Sequence, residues 1–106
     1  MMQIVILEKA EKRLHDTARY IRDEFGKKSE QKFKKEFRKT IGLLKDNPYL
    51  GPVEPLLLER IFIYRSIVVA KLNKIIYRID EDCNRIEIAD LWDCRREPTA
   101  MMRQVR

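Results

Sequence analysis

Residues 74–92, KIIYRIDEDCNRIEIADLW, decide the fold. Two runs rich in β-branched and aromatic residues, KIIYRI (74–79) and RIEIADLW (85–92), flank the polar stretch DEDCN (80–84), a pattern that reads as two strands joined by a turn. Upstream, IFIYRSIVVAKL (61–72) has the same composition and meets this pair at Asn73, a second turn signal. Links this short imply antiparallel neighbours. The second run carries a phase problem. Strict alternation from Ile86 places Ile88, Asp90 and Trp92 on one face and so sends a carboxylate into the core. Either a bulge near Ala89 resets the alternation, or Asp90 is buried with a partner such as an arginine.

Before these strands the chain has a helical period. QIVIL (3–7) reads as a short buried strand. Ala10, Leu14, Ala18, Ile21 and Phe25 then recur at helical spacing on one stripe, and Gly26 supplies a stop. Ser29 is expected to cap a second helix with Glu30 in its first turn, and Phe33, Phe37, Ile41 and Leu44 form that helix's apolar stripe. DNPYLGP (46–52) ends it. So short a link between the helices predicts an antiparallel helical hairpin, whose apolar stripe needs a sheet to cover. The stretch GPVEPLLLE (51–59) reads as an irregular crossing from helix to sheet. The expected class is therefore α+β, β-α-α-β-β-β, with a helical hairpin packed on one face of a twisted, mainly antiparallel sheet.

The totals agree with one domain over residues 1–106. Hydrophobic residues make up 44% and charged residues 38%, with the two signs interspersed, which argues against a disordered chain. No window reaches the roughly 18 to 20 apolar residues of a membrane span, and the first apolar stretch is too short for a signal peptide, so no membrane partner and a cytoplasmic location are expected. Cys83 and Cys94 stand roughly 30 Å or more apart if the chain between them is extended, and so are read as free thiols. With one histidine, His15, beside an apolar helical stripe, neither a zinc site nor a histidine-activated nucleophile is expected. The formal charge is +6; residues 1–50 hold 13 Lys and Arg against 8 Asp and Glu, whereas residues 51–106 hold 10 against 9. Solvated helix faces account for that asymmetry without a ligand.

Glycine-rich phosphate loops, nucleophile elbows and metalloprotease motifs are missing from the sequence. What remains is a set of basic residues on and just beyond the strands: Arg65, Lys71, Lys74, Arg78, Arg85, Arg95 and Arg96. A sheet covered on one face leaves the other open, and there arginine forks could hold an RNA backbone or an acidic protein surface. Trp92 and Tyr77 are candidate stacking platforms for bases, with core packing as the competing reading. Pairing of the cations with Glu59, Glu81, Asp82, Glu87, Asp90, Asp93 and Glu97 is the structural alternative.

Taken in order, the first strand, the charged hairpin ending LLKDNPYLG, then YRSIVV, KIIYRID, IEIADLWD and the closing RREP resemble the RelE/ParE superfamily of toxins from bacterial type II toxin–antitoxin, or plasmid stabilisation, modules. The likeness spans nearly the whole chain. It implies a growth-inhibiting toxin held inactive by a cognate antitoxin, with no cofactor. RelE-like members cut mRNA in the ribosome; ParE-like members bind DNA gyrase and trap its cleaved-DNA complex. On the first pattern the chain is a metal-independent endoribonuclease in which the 2′-hydroxyl attacks phosphorus, with the ribosome and mRNA as partners. That chemistry needs a base, an acid and cations for the developing charge. The resemblance assigns Lys74, Arg95 and Arg96 to the cationic roles, with Arg65 as a further cation. Arg78, Lys71 and Trp92 would bind nucleic acid. The tyrosine or histidine that RelE-like enzymes carry in their tail has no counterpart in EPTAMMRQVR (97–106), so Glu54, Glu59, Asp93 or Glu97 would have to act as base, with Glu59 the one assigned. That departure moves weight toward the alternative of gyrase inhibition by protein binding, yet the ribosome can orient the RNA, so ribosome-dependent mRNA cleavage stays the expected activity; a nontoxic descendant that keeps only binding is a further alternative. An enzyme further requires one carboxylate of the 54–59 or 93–97 segments to lie against Lys74 and Arg95.

Overall fold

The computed structural model describes residues 2–94; Arg95 and Arg96, and with them the tail that follows, lie outside the described residues. The elements run β1 (Gln3–Ile6), α1 (Glu8–Phe25), α2 (Lys27–Asp46), a 3-10 turn (Pro55–Leu57), β2 (Arg65–Val69), β3 (Asn73–Asp80) and β4 (Arg85–Asp93). The four strands form one sheet in the order β1-β4-β3-β2. β1 pairs in parallel with β4, and the other two pairings are antiparallel. This is the expected β-α-α-β-β-β architecture.

Apolar periodicity explains the helix side of the core. Ala10 and Ala18 of α1 and Phe33, Phe37 and Leu44 of α2 are buried against Ile75 and Tyr77 of β3 and Ile86, Ile88 and Leu91 of β4. Burying the larger of these side chains contributes roughly 1.5–3 kcal/mol each.

Three boundaries differ from expectation. Gly26 alone separates the helices, at φ +93°, a left-handed conformation that side chains rarely adopt. α2 accordingly starts at Lys27, and Ser29 lies inside it, donating its hydroxyl to the Phe25 carbonyl rather than capping. Phe25, placed by period on the apolar stripe, is 67% exposed because it falls on the last turn of α1 beyond the sheet. The third run yields a strand only over Arg65–Val69. Ala70 and Lys71, at φ 51° and 66°, make the turn into β3 one step before Asn73, which begins that strand.

Both resolutions of the Asp90 problem occur together. The register of β3 against β4 shifts between Ile76, opposite Asp90, and Tyr77, opposite Ile88, so Ala89 is the bulged residue. The bulge returns Leu91 to the helix side with Ile86 and Ile88 and turns Trp92 to the other side. Asp90 nevertheless stays buried. β1 ends opposite Ile88, and where β4 runs on, the start of α1 brings Lys9 and Arg13 to 3.9 and 4.0 Å from the Asp90 carboxylate.

The reverse face of the sheet is less open than expected. Leu57 and Tyr64, from the segment between α2 and β2, fold over Ile76 and Trp92 to make a second, smaller core. Ile76 and Trp92 are large, mainly apolar side chains on this face, so it requires cover that the sequence periodicity did not reveal. Val53 holds the crossing segment in place by a bridge to Arg65, reinforced by backbone bonds from the Ser66 amide to the Pro52 carbonyl and from the Glu54 amide to the Tyr64 carbonyl.

Candidate functional site

The crossing segment brings Glu54 beneath β2 and β3. Its carboxylate is wholly buried. It accepts a hydrogen bond from Ser66 Oγ at 2.8 Å and two from Lys74 Nζ at 3.1 and 3.2 Å. Strand alternation puts Ser66 and Lys74 on the same side, since Ser66 pairs with Ile76 and Lys74 with Val68. The carboxylate that meets Lys74 is thus Glu54; Glu59, the residue assigned from the resemblance, is exposed on the loop after the 3-10 turn. Cys94 closes this end, its amide bonded to the Leu72 carbonyl at 2.7 Å. Burial pushes the Cys94 thiol up from its ordinary value, while the Lys74 charge pulls against it. Both cysteines are free, as expected, and both are exposed.

The other sheet cations are also engaged. Arg78 Nε donates to Glu87 at 2.8 Å, its Nη2 lies 3.6 Å from Asp80, and its guanidinium stacks 4.0 Å from the Phe62 ring centroid. Arg85 lies 2.7 Å from Glu87 and 3.7 Å from Asp80, so two arginines and two acids close a network on the β3–β4 hairpin. Asp80 also accepts the Cys83 amide; that bond, with the two arginines behind it, holds the Asp80 carboxyl below its ordinary value. Arg65 Nη1 donates to the Gly51 carbonyl at 2.9 Å and stacks on Tyr49, whose hydroxyl in turn bonds to Glu81. Gly51 sits where any Cβ would come within 2.5 Å of the Ser66 carbonyl, so only glycine fits. Its amide donates to the Tyr77 hydroxyl, which donates onward to the Pro48 carbonyl, and burial raises the Tyr77 hydroxyl above its ordinary pKa.

Trp92 is 2% exposed and Tyr77 is buried, so core packing prevails for both and neither ring is open to a base. Arg13 lies 5.8 Å above the Trp92 ring. Lys71 is exposed on the β2–β3 turn, apart from the Lys74 cluster. His15 is exposed on α1.

A groove of about 970 Å³ lies between the hairpin and the β2–β3 turn. Tyr20, Phe25, Phe33 and Leu72 supply its apolar wall, while Asp16, Glu36 and Asp93 set acids along it. Neither this groove nor the Ser66–Glu54 contact was legible from the sequence. Glu54 had the strongest signal, as the acid between two prolines in a segment that must cross the sheet.

A four-stranded mixed sheet backed by a charged helical hairpin is the architecture expected of the toxin class that the sequence resembles. The sequence matches the family described as ParE toxin of type II toxin-antitoxin system, parDE, over residues 4–98, and the chain belongs to that family. Among solved structures it is similar to a chain of the chromosomal ParDE TA system from P. aeruginosa, with a TM-score of 0.70 at 16% identity, covering 88% of this chain and 96% of that one. No curated protein matches the sequence. Among the described residues, no helix is long and apolar enough to cross a membrane.

Proposed function

We propose that this protein is the growth-inhibiting component of a type II toxin–antitoxin module and that it acts by ParE-type binding to DNA gyrase, neutralised by a cognate antitoxin. Family membership supports the first part. The second rests on one observation: Arg65, Lys74, Arg78 and Arg85 are each held by an acid or a carbonyl within the molecule. Cations that stabilise a pentacovalent phosphorus must face substrate rather than internal carboxylates. A base must likewise reach its proton, and Glu54 is enclosed by its own partners. The apolar groove suits an antitoxin segment that covers Tyr20, Phe25 and Leu72 in the neutral complex.

Ribosome-dependent mRNA cleavage is the second reading, favoured by the close approach of Glu54 to Lys74, the carboxylate–cation pair that an enzyme would require. Purified protein added to gyrase and supercoiled plasmid separates the two. Accumulation of linear DNA, without new mRNA ends in cell-free translation, is expected. Codon-positioned mRNA ends with supercoiling intact would overturn the gyrase reading in favour of the nuclease.

A further inference from the structure

The sheet cations Lys74, Arg78 and Arg85 pair with acids and Arg65 with a carbonyl, whereas α2 carries eight Lys and Arg against three Asp and Glu. Lys28, Lys32, Lys35 and Lys39 recur along α2 at spacings of 4, 3 and 4, which at about 100° per residue gathers them within roughly 60° of arc. All four are exposed. Phe33, Phe37 and Leu44 occupy the opposite pole and are buried against the sheet, so the row faces away from it, with Lys32 at the edge of the groove beside Phe33 and Glu36. Among the described residues, Lys34, off the row, forms the ion pair of this helix, with Glu30, and none of the four lysines of the row lies within 4 Å of a carboxylate. Four like charges on consecutive turns repel one another, which costs the helix stability.

We propose that this α2 face binds the phosphate backbone of duplex DNA without regard to sequence. The row extends about 16 Å at 1.5 Å rise per residue, and duplex DNA carries roughly one charge per 1.7 Å of axis, so each lysine has a phosphate within reach. The residue type argues for phosphate over an acidic protein. Protein interfaces deplete lysine and draw their affinity from aromatic and arginine anchors, and this pole of the helix has neither among its four cations. Lysine's compact charge on a flexible stem suits sequence-independent backbone contact, where a rigid fork has no advantage. The inference does not depend on gyrase, since the ligand is naked DNA.

The test is fluorescence anisotropy of a labelled 20-base-pair duplex of arbitrary sequence, titrated with the full chain between 50 and 200 mM KCl. Four contacts at about 0.9 each predict a slope of log K against log salt near −3.6, a loss of roughly a hundredfold across that range. K28Q/K32Q/K35Q/K39Q should abolish binding, and K28R/K32R/K35R/K39R should retain both affinity and slope. The single variant K35Q, reducing the slope by about 0.9, keeps the test decisive should the quadruple variant fail to fold. Duplex binding unchanged in the glutamine variants would overturn the proposal. So would capture of poly-glutamate in place of the duplex, which would reassign the face to an acidic protein.

Discussion

Lys74 and Glu54 are one ion pair, yet removing either partner should have unequal consequences, because only one of them can reach water. Glu54 is 0% exposed and Lys74 29% at the side chain. Lys74→Met leaves a fully buried carboxylate supported by the neutral Ser66 hydroxyl alone, and an uncompensated buried charge costs roughly 3–5 kcal/mol. Glu54→Gln keeps an oxygen able to accept from Ser66 or Lys74, and the ammonium can turn outward on its flexible stem, so the cost should be near 1–2 kcal/mol. For a domain of this size the larger value lowers Tm by roughly 12–30 °C and the smaller by roughly 4–12 °C. Trp92 is the single tryptophan and lies opposite Lys74 in the β3–β4 register, so its emission in urea reports unfolding at the pair itself. The double variant should cost less than the two single changes added together, since neither charge is then left behind. Equal losses for the two single variants, or a larger loss for Glu54→Gln, would refute the buried-charge argument. The same series bears on function. If the pair only shapes the sheet, growth arrest by Glu54→Gln persists in cells at temperatures where its fold persists.

Tyr77→Phe deletes the acceptor of the Gly51 amide and the donor to the Pro48 carbonyl and should cost roughly 1–3 kcal/mol in urea denaturation, with β-sheet circular dichroism unchanged at zero denaturant. Asp80 has a carboxyl held below the ordinary value of 3.8, so its contribution to stability is present above that pH and is lost as pH falls through its lower folded value; the stability gap between wild type and Asp80→Asn should therefore shrink in acid titrations below pH 3.8. Phe25→Asp, at an exposed site on the groove wall, should leave Tm nearly unchanged and weaken the complex with the cognate antitoxin roughly 10- to 100-fold by calorimetry, the equivalent of one buried phenylalanine.

The element order was legible because each element rests on a local period. Phe33, Phe37, Ile41 and Leu44 repeat at helical spacing, the β-branched runs alternate, and the bulge at Ala89 announced itself through a carboxylate in the wrong phase. What stayed hidden depends on segments without a period. The stretch 51–64 has no regular pattern, and it determines whether the back of the sheet is a binding face or a second core. Ile61, in what read as the start of a long strand, is 96% exposed because the chain there follows the needs of Leu57 and Tyr64 rather than those of a ladder.

That one irregular segment also explains why the cations were easy to find and hard to assign. A basic residue in a strand declares its face through alternation, but its partner comes from wherever the crossing chain happens to lie. Lys74 is neutralised by Glu54, twenty residues away in sequence, and Arg65 is held by the carbonyl of Gly51. Lysines on the outer pole of a helix reach mainly the helical neighbours three and four residues away, and for Lys28, Lys32, Lys35 and Lys39 these include one another, with Glu36 beside Lys32 and Lys39 but in an ion pair with neither among the described residues. Charge that is free to act is therefore read more safely from a helix, where its neighbours are set by the period, than from a sheet. By that criterion the exposed positive charge of the described residues gathers most densely on the back of α2, away from the sheet positions of Arg65 and Lys74.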